Sequence, residues 1–303
     1  MEADVNDIEM LEAERRTLLA LSYRMLGTVA DAEDAVQETY VRWYRLTDAE
    51  RDAIRNPGAW LTRVASRVCL DMLGSARARR ERYVGEWLPE PVPGGWPGRR
   101  EPLVAASVPV DPLDRVTLDD AVSTALLVVL ESLTPAERVA FVLHDVFGVP
   151  FDEIAETVGR STDAARQLAS KARRRVHEQR GGAATREEHD AVARAFAAAT
   201  MTGDLEGLIA VLDPDAVARS DGGGRVSAAL RPVVGADRVA RFLLGLPRLA
   251  PGAVLSPIET ADGLGFLATV DGVADTVISI AVADGRVTDV YLVRNPDKLT
   301  LWR

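Results

Sequence analysis

The sequence of 303 residues is poor in the side chains that cross-link chains or bind metals, with one cysteine and three histidines. The single cysteine, Cys69, excludes an intrachain disulfide framework and a thiolate metal cluster. The histidines, His144, His177 and His189, are scattered without the spacing of metal ligands. We therefore expect no metal ion and no other cofactor, and a reducing compartment is the expected location.

The sequence also lacks a long apolar run. The most apolar stretches, 125–130 and 191–201, are short or interrupted by charge, and neither is long enough to span a bilayer. The first ten residues are acidic and polar, unlike a secretory signal. These features predict a soluble cytoplasmic protein that does not bind a membrane.

Acidic residues outnumber basic ones, and the net charge of −10 argues against general binding of nucleic acid. Two short segments differ from the rest: residues 60–82 and 161–180 each contain six basic and two acidic residues, a net charge of +4. Attraction to phosphate acts within ~8–10 Å, so such a segment can bind DNA locally within an acidic chain. Solvated helix faces produce the same charge pattern.

Composition and periodicity divide the chain into four parts. Residues 1–82 and 114–181 have the apolar spacing of helices, whereas residues 83–113 contain seven of the sixteen prolines and predict an extended linker. Residues 182–303 begin with helices at 189–203, 204–212 and 236–246, and strands follow from Ala253, with a hairpin turn at Asp284-Gly285. We expect a multidomain fold of two all-α domains followed by an α+β domain with a curled antiparallel sheet.

Two helices of the first part combine an apolar stripe with polar faces. We expect Asp31 to open the helix over residues 31–45, in which Val36, Tyr40 and Trp43 form the buried stripe. Its other faces carry Asp34, Gln37, Glu38 and Arg42. The next helix begins at Pro57, and its expected apolar face consists of Trp60, Leu61, Val64, Val68 and Met72. Its remaining basic residues include Arg63, Arg67, Arg77, Arg79 and Arg80.

The third part has the pattern of a helix-turn-helix. A capping box at Thr134 opens a helix that ends near Gly148, a short helix covers residues 151–158, and Ser161-Thr162 caps a basic helix that runs to about Gln179. The expected apolar side of the basic helix is Ala164, Leu168, Ala172 and Val176. Its polar faces carry Arg166, Gln167, Ser170, Lys171 and Arg174, residue types that suit base edges and phosphates. An ordinary helical hairpin with a charged surface fits the same pattern.

The order of these elements resembles an extracytoplasmic-function (ECF) sigma factor of the sigma-70 superfamily. Residues 31–45 resemble region 2.2, which binds the clamp of RNA polymerase, and residues 57–73 resemble regions 2.3–2.4, which open and read the −10 element. Residues 133–176 resemble region 4, which reads the −35 element through a helix-turn-helix. The resemblance implies that the partners are core RNA polymerase and promoter DNA.

The resemblance also assigns roles to residues. It implies that core polymerase is bound by Asp31, Asp34, Gln37, Glu38 and Arg42. It implies that the −10 element is bound by Arg63, Arg67, Arg77, Arg79 and Arg80, and the −35 element by Arg166, Gln167, Ser170, Lys171 and Arg174. Many ECF sigma factors have Asn at, or one residue from, the position of Arg67, so the residue that reads the −10 bases stays open.

Residues 182–303 resemble a SnoaL-like domain, a cone of helices packed on a bent sheet. A subgroup of ECF sigma factors carries this extension with three motifs, which are present here as WLPEP (87–91), DGGGR (221–225) and NPDKL (295–299). The resemblance implies that the extension regulates the sigma factor in cis, through contact with region 2 and the linker, without a dedicated anti-sigma factor. The implied regulatory residues are Trp87, Pro89, Asp221, Gly222, Gly223, Gly224, Asn295, Pro296, Asp297, Lys298 and Leu299.

Catalysis is the main alternative for the extension, because SnoaL-like folds also include polyketide cyclases. Its one histidine, His189, lies at the start of the first helix, where we expect it to be solvated, and Asp221 belongs to a glycine loop expected to contact the linker. We therefore expect no enzymatic activity. Two other classes stay open: a one-component DNA-binding regulator with a ligand-sensing SnoaL-like domain, and a SnoaL-like enzyme fused to a DNA-binding module.

Overall fold

The structure, a computed structural model, describes residues 2–80, 83–96, 123–180 and 184–303. The described residues divide into two compact units. The first unit consists of residues 2–79 and 129–178. The second unit consists of residues 80, 83–96, 123–128, 179–180 and 184–303. Part of the predicted linker, residues 83–96, thus belongs to the same unit as the C-terminal residues. The remainder of that linker, 97–113, lies outside the described residues.

The first unit is helical. Its N-terminal part contains α1 (Glu2–Leu26), α2 (Val29–Tyr44), α3 (Asp48–Asp52) and α4 (Pro57–Arg80). Its second part contains the end of α5 (Thr124–Glu131), followed by α6 (Pro135–Phe141), a π-helical turn (Val142–Val146), α7 (Phe151–Val158) and α8 (Thr162–Arg180). The order and approximate length of the main helices agree with the sequence prediction.

Capping residues set the helix boundaries. The Thr28 hydroxyl accepts the N–H of Asp31 at 3.2 Å, so Thr28 is the N-cap of α2 and the prediction that Asp31 opens this helix was wrong. The capping box at Thr134 is present, and Gly159 ends α7 with a φ of +65°. The sequence analysis missed α3, although Thr47 and Glu50 form a complete capping box there.

The buried faces of α4 and α8 are rotated from the predicted ones. On α4 the buried face is Leu61, Ala65, Val68, Cys69 and Leu73, whereas Trp60, Val64 and Met72 are half-buried. On α8 it is Ala165, Ala169, Ala172 and Val176, whereas Ala164 and Leu168 are half-buried. Alanines face the core because their small side chains let neighbouring helices approach closely. A prediction that assigns the most hydrophobic residues to the core does not detect such positions.

The second unit combines helices with a six-stranded sheet. Its helices are α9 (Arg186–Thr202), α10 (Leu205–Val211) and α11 (Ala236–Leu249). Its strands are β1 (Leu212–Asp221), β2 (Val233–Val234), β3 (Val254–Thr260), β4 (Gly263–Val270), β5 (Val273–Ala283) and β6 (Arg286–Val293). The predicted hairpin turn joins β5 to β6, where Asp284 and Gly285 have φ values of +50° and +71°.

The sheet has the order β2-β1-β6-β5-β4-β3, and β1 is parallel to β6. The prediction of a purely antiparallel sheet that follows all the helices was therefore wrong. Strand β1 lies between α10 and α11 in the chain, and its sequence DPDAVARSD has proline and aspartates where alternation would reveal a strand. The pairing with β6 also contains a register shift between Leu212 and Val217.

The two faces of the sheet bury different partners. One face packs against α9 and α11 through residues such as Phe196, Leu243 and Phe266. Alternate residues of β5 and β6, including Val277, Tyr291 and Val293, point to the other face and form a second, smaller core. A residue of the linker, Leu88, belongs to this smaller core.

Candidate functional site

The carboxylate of Asp221, at the end of β1, is fully buried and has four donors around it. Its Oδ1 accepts the Tyr83 hydroxyl at 2.6 Å and the N–H of Gly223 at 3.0 Å. Its Oδ2 accepts the N–H of Leu88 at 2.9 Å and the ammonium of Lys298 at 2.8 Å. A buried carboxylate is tolerated only when it is paired and hydrogen-bonded, and these contacts meet that condition.

The ammonium of Lys298 is nearly as buried, with 7% of its side chain exposed. Its Nζ donates to the Leu88 carbonyl at 2.5 Å and lies 4.1 Å from the ring centre of Trp87 and 5.1 Å from that of Tyr83. Cation–π attraction of this kind strengthens when the cation is removed from water. The Lys298 ammonium therefore binds the linker at two kinds of group: the main-chain carbonyl of Leu88 and the aromatic rings of Trp87 and Tyr83.

Asn295 connects the third motif to the same centre. Its Nδ2 donates to the Tyr83 hydroxyl at 2.8 Å, its backbone N–H donates to the Asp221 carbonyl at 2.9 Å, and its Oδ1 accepts the N–H of Asp297 at 3.1 Å. We call the group Tyr83, Leu88, Asp221, Asn295 and Lys298 the linker clamp. It joins residues that lie far apart in the chain, such as Tyr83 and Asn295, which are 212 positions apart.

The three glycines after Asp221 leave room for these contacts. A Cβ on Gly223, where φ is +62°, would lie 2.4 Å from Asn295 Nδ2, and one on Gly222 would lie 2.4 Å from the Val226 carbonyl. A Cβ on Gly224 would lie 3.1 Å from the Val84 side chain, in the linker. The loop therefore lies against the linker, as the sequence analysis expected from the glycines.

Residues 91–94 of the linker dock along the edge of the sheet. The carbonyl of Pro91 accepts the indole N–H of Trp302 at 2.9 Å, the carbonyl of Val92 accepts the N–H of Ala261, and the N–H of Gly94 donates to the Glu259 carbonyl. Trp87 is half-buried. The other WLPEP residues, Leu88, Pro89, Glu90 and Pro91, are buried, as is Leu299 of NPDKL. Residues 86–92 form neither helix nor strand, in agreement with the prediction from their prolines.

Tyr83 is the member of the linker clamp that the sequence analysis missed. It lies outside the three motifs, and its partners Asp221 and Asn295 are 138 and 212 residues away, so no local pattern indicates it. Burial raises the pKa of the Tyr83 hydroxyl above its usual value, and the hydrogen bond to the Asp221 carboxylate raises it further.

The histidine of the C-terminal domain, His189, is buried, and the expectation that it is solvated was wrong. The start of α9 packs on the sheet, and the His189 Nε2 lies 3.2 Å from the Ile280 carbonyl, while Nδ1 lies 3.1 Å from Asp190. Burial alone would raise the pKa of Asp190, but the N–H of Leu264 and the His189 ring hold that pKa below its usual value. These contacts give His189 a structural role.

The residues predicted to bind core polymerase lie on α2. Asp34 and Gln37 are exposed, and Asp31, Glu38 and Arg42 are half-buried. Arg42 Nε donates to Glu38 at 2.9 Å, and Asp31 accepts the Thr28 hydroxyl at 2.8 Å. All five lie along the helix away from its buried residues Val36 and Trp43.

The residues predicted to bind the −10 element lie on α4. Arg63 and Arg67 are exposed, and Arg63 donates to Glu156 of α7 at 2.9 Å. The side chains of Arg77, Arg79 and Arg80 lie outside the described residues.

The residues predicted to bind the −35 element lie on α8, the second helix of the helix-turn-helix. All are exposed: Arg166, Gln167, Ser170, Lys171 and Arg174. Arg166 pairs with Asp163 at 2.9 Å, and Lys171 pairs with Glu137 at 2.7 Å. Burial alone would raise the pKa of Glu137, but bonds from Lys171 and Thr134 hold that pKa below its usual value.

The two parts of the first unit touch each other. The buried guanidinium of Arg138, on α6, donates to the Met25 carbonyl at the end of α1 (2.7 Å) and to the Leu130 carbonyl (3.0 Å). It also pairs with Glu131 at 2.7 Å. Together with the Arg63–Glu156 pair, these contacts hold α1 and α4 against the helix-turn-helix region.

None of the helices in the described ranges is both long enough and apolar enough to cross a bilayer. Within the same ranges, no three His, Cys, Asp or Glu residues group as a metal site.

Comparison with known proteins decides the family. A family model for sigma-70 region 2 matches residues 10–79, and one for sigma-70 region 4 matches residues 123–176. The chain is 42% identical over 306 aligned positions to the ECF RNA polymerase sigma factor SigJ of Mycobacterium tuberculosis, covering 97% of this chain and 93% of that protein. This chain belongs to the ECF RNA polymerase sigma factor family.

Two further comparisons support the assignment of this sigma factor. It is 39% identical to the probable ECF RNA polymerase sigma factor SigI of M. tuberculosis, covering 95% of this chain and 92% of that protein. The crystal structure of M. tuberculosis SigJ matches with a TM-score of 0.72 and 38% identity, over 97% of this chain and 98% of that one. The main parts of the predicted fold class are confirmed: helical sigma regions 2 and 4, then an α+β domain.

Proposed function

We propose that this ECF sigma factor directs promoter-specific transcription by core RNA polymerase and that its C-terminal domain regulates it in cis. In this proposal region 2 covers residues 1–82, the linker 83–113, region 4 residues 114–181 and the regulatory domain 182–303. The exposed face of α2 binds core polymerase, the basic residues of α4 bind the −10 element, and α8 binds the −35 element.

The contacts within the first unit support a requirement for opening. The −10 and −35 elements are two separate sites on one duplex, so the helices that read them must lie apart along the DNA. Arg63 of α4 pairs with Glu156 of α7 at 2.9 Å, and Arg138 binds the Met25 carbonyl at 2.7 Å. A helix-turn-helix held against α4 cannot occupy a −35 element while α4 occupies the −10 element, so these contacts break at the promoter.

The linker clamp is the observation that carries the regulatory part of the proposal. Residues 83–96 follow region 2 and precede region 4 in the chain, and the clamp attaches them to the C-terminal domain through Asp221 and Lys298. Separation of the two DNA-binding regions pulls on this segment. The clamp therefore opposes separation, and binding of core polymerase supplies the free energy that releases it.

The experiment is run-off transcription with core polymerase and the full-length protein. Asp221→Asn weakens the clamp, and we expect a more than twofold change in promoter-dependent transcript, with an increase if the clamp inhibits. Asp297→Asn is the matched control, because Asp297 is a motif aspartate next to Lys298 but makes an exposed pair with Arg225. Equal transcript from the wild type and Asp221→Asn contradicts regulation through the clamp, and no transcript with any form contradicts sigma activity.

The same assays separate the proposal from its alternatives. A sigma factor binds its promoter only with core polymerase, whereas a one-component regulator retards the same DNA alone. A tethered enzyme turns over a polyketide-like substrate, and we infer that this domain does not, since its buried His189 is held by Asp190 and a main-chain carbonyl. We expect the protein to act in the cytoplasm with RNA polymerase and to need no dedicated anti-sigma factor. Co-purification with core polymerase, without a further stoichiometric protein, tests that expectation.

A further inference from the structure

The C-terminal domain contains a cavity of about 370 Å³ between its sheet and the helices α9 and α11. Its walls are mainly apolar, with Phe196, Phe242, Leu246 and Phe266 among the lining residues. Cavities that bind small molecules usually have volumes of ~300–1,000 Å³, apolar walls and a few polar groups in fixed positions. The size and the walls of this cavity therefore suit a small apolar molecule.

A single ion pair provides the charged groups of the cavity wall. Arg294 donates to Asp275 through Nε at 3.2 Å and through Nη2 at 2.9 and 3.0 Å, and its Nη1 donates to the Ser227 carbonyl at 2.5 Å. The Thr276 hydroxyl also donates to Asp275, at 2.6 Å. Burial alone would raise the pKa of Asp275, but Arg294 and Thr276 hold that pKa below its usual value.

The charge balance of this wall selects among ligands. Because Asp275 and Arg294 neutralise each other, a charged ligand would enter an apolar space without a counter-ion, at a large desolvation cost. An uncharged ligand with a hydroxyl or carbonyl group can donate to the carboxylate or accept from the guanidinium without breaking the pair. The polar wall thus favours a neutral molecule with one hydrogen-bonding group.

Two segments of the chain belong to both the cavity and the linker clamp, and a third lies close to the clamp in the chain. Ser220 lines the cavity and precedes Asp221, Arg294 lines it and precedes Asn295, and Ser227 lines it two residues after the DGGGR loop. The backbone N–H of Arg294 also donates to the Asp221 carbonyl at 2.7 Å. A change in the cavity wall is therefore transmitted to the clamp through one or two peptide units.

We propose that this cavity binds an uncharged, largely apolar small molecule with one hydroxyl or carbonyl group against the Asp275–Arg294 pair, and that the bound molecule keeps the linker clamp closed. The binding site stands on the cavity alone, whereas its regulatory effect rests on the proposed function. Opening of the clamp moves Asp221 and Asn295, and with them Ser220 and Arg294, so the open form loses part of the binding site. A ligand that prefers the closed form makes opening rarer by mass action.

The first test is direct binding to the full-length protein by isothermal titration calorimetry at pH 7. The probe is 2-naphthol, which is neutral at this pH, bicyclic and carries one hydroxyl group. We expect saturable 1:1 binding with a Kd below about 1 mM. We expect the anion 2-naphthoate to bind at least tenfold more weakly. Absence of 2-naphthol binding, or equal binding of the anion, overturns the proposed ligand class.

Substitutions in the cavity wall test whether 2-naphthol binds in this cavity. Ala268→Phe fills the cavity from β4, and we expect it to weaken 2-naphthol binding at least tenfold. The control is Ala274→Phe, on the neighbouring strand β5 and outside the cavity lining, with an expected change below twofold. If Ala268→Phe does not fold, Ala250→Leu, at the end of α11, fills the cavity from another side. Unchanged binding in a folded cavity variant overturns the proposed site.

The coupling is tested by hydrogen exchange at the Leu88 amide, whose N–H donates to Asp221. With free 2-naphthol at ten times its Kd, we expect exchange of this amide to slow by up to about elevenfold. This is the factor by which the ligand increases the population of the closed form relative to the open form. Slowed exchange at cavity residues together with an unchanged rate at Leu88 overturns the coupling. These measurements need neither polymerase nor DNA, so their failure leaves the proposed sigma activity standing, and failed run-off transcription leaves the binding site standing.

Discussion

The Asp221→Asn substitution tests the electrostatic centre of the linker clamp. The side chain of Asp221 is fully buried and that of Lys298 is 7% exposed, so the substitution removes the Asp221 charge from a buried ion pair. Removal of one partner from a buried pair costs about 3–5 kcal/mol, and we take the lower limit because the Leu88 carbonyl and two aromatic rings stay near Nζ. For a unit of this size 1 kcal/mol shifts Tm by ~2–4 °C. We therefore expect differential scanning calorimetry to show a decrease of about 6–12 °C.

Two comparison variants make this result interpretable. Asp297→Asn removes an exposed ion pair with Arg225, worth at most about 1 kcal/mol, so its Tm decreases by less than about 4 °C. Asp221→Asn combined with Lys298→Met removes both charges, and we expect the double variant to be less destabilised than the sum of the two single variants. A decrease for Asp221→Asn no larger than that for Asp297→Asn would refute the assignment of a buried, energetically important pair.

Three further predictions concern other contacts. The pKa of the Tyr83 hydroxyl is raised in the folded state, so the contribution of this hydroxyl to stability is present below pH ~10 and is lost as the pH rises above that value. The Tm of the wild type should therefore decrease between pH 9 and 11, and Tyr83→Phe should make this decrease smaller. Gly223→Ala should lower the free energy of unfolding by about 1–3 kcal/mol in urea denaturation, because the φ of Gly223 is +62° and the new Cβ would lie 2.4 Å from Asn295 Nδ2. A decrease below about 0.5 kcal/mol, as for an ordinary surface substitution, would contradict the predicted steric conflict. Arg138→Met leaves the Met25 carbonyl without its donor and should lower the urea midpoint of the first unit, whereas Arg166→Met, which breaks an exposed pair, should leave it unchanged.

Local signals account for the parts of the fold that the sequence predicted. The Thr134 capping box, the left-handed Gly159 and the Asp284-Gly285 turn each depend on neighbouring residues, and the structure contains all three. Strand β1 escaped prediction because its stability comes from parallel pairing with β6, about 70 residues away, rather than from its own alternation. The burial of His189 likewise depends on a carbonyl 91 residues away, at Ile280.

The candidate site was likewise predictable only in part, because local motifs indicated some of its residues and the fold brought them together. The motifs identified Asp221, Asn295 and Lys298 as candidates, but only the fold shows that their side chains meet at one buried point with the linker between them. Tyr83 had no motif to indicate it. The resemblance left a ligand-sensing domain open, but the lining of the cavity could not be predicted, because its walls come from five strands and two helices. The Asp275–Arg294 pair likewise joins the start of one strand to the end of another.

The pairing of Asp221 with Lys298 restricts how this family can diverge. Loss of either residue removes the buried charged partner of the other, whereas a change of both to uncharged side chains removes that penalty together with the restraint on the linker. Natural variants should therefore keep both residues or lose both. Branches that have lost both should also have relaxed selection on Trp87, whose ring faces the ammonium.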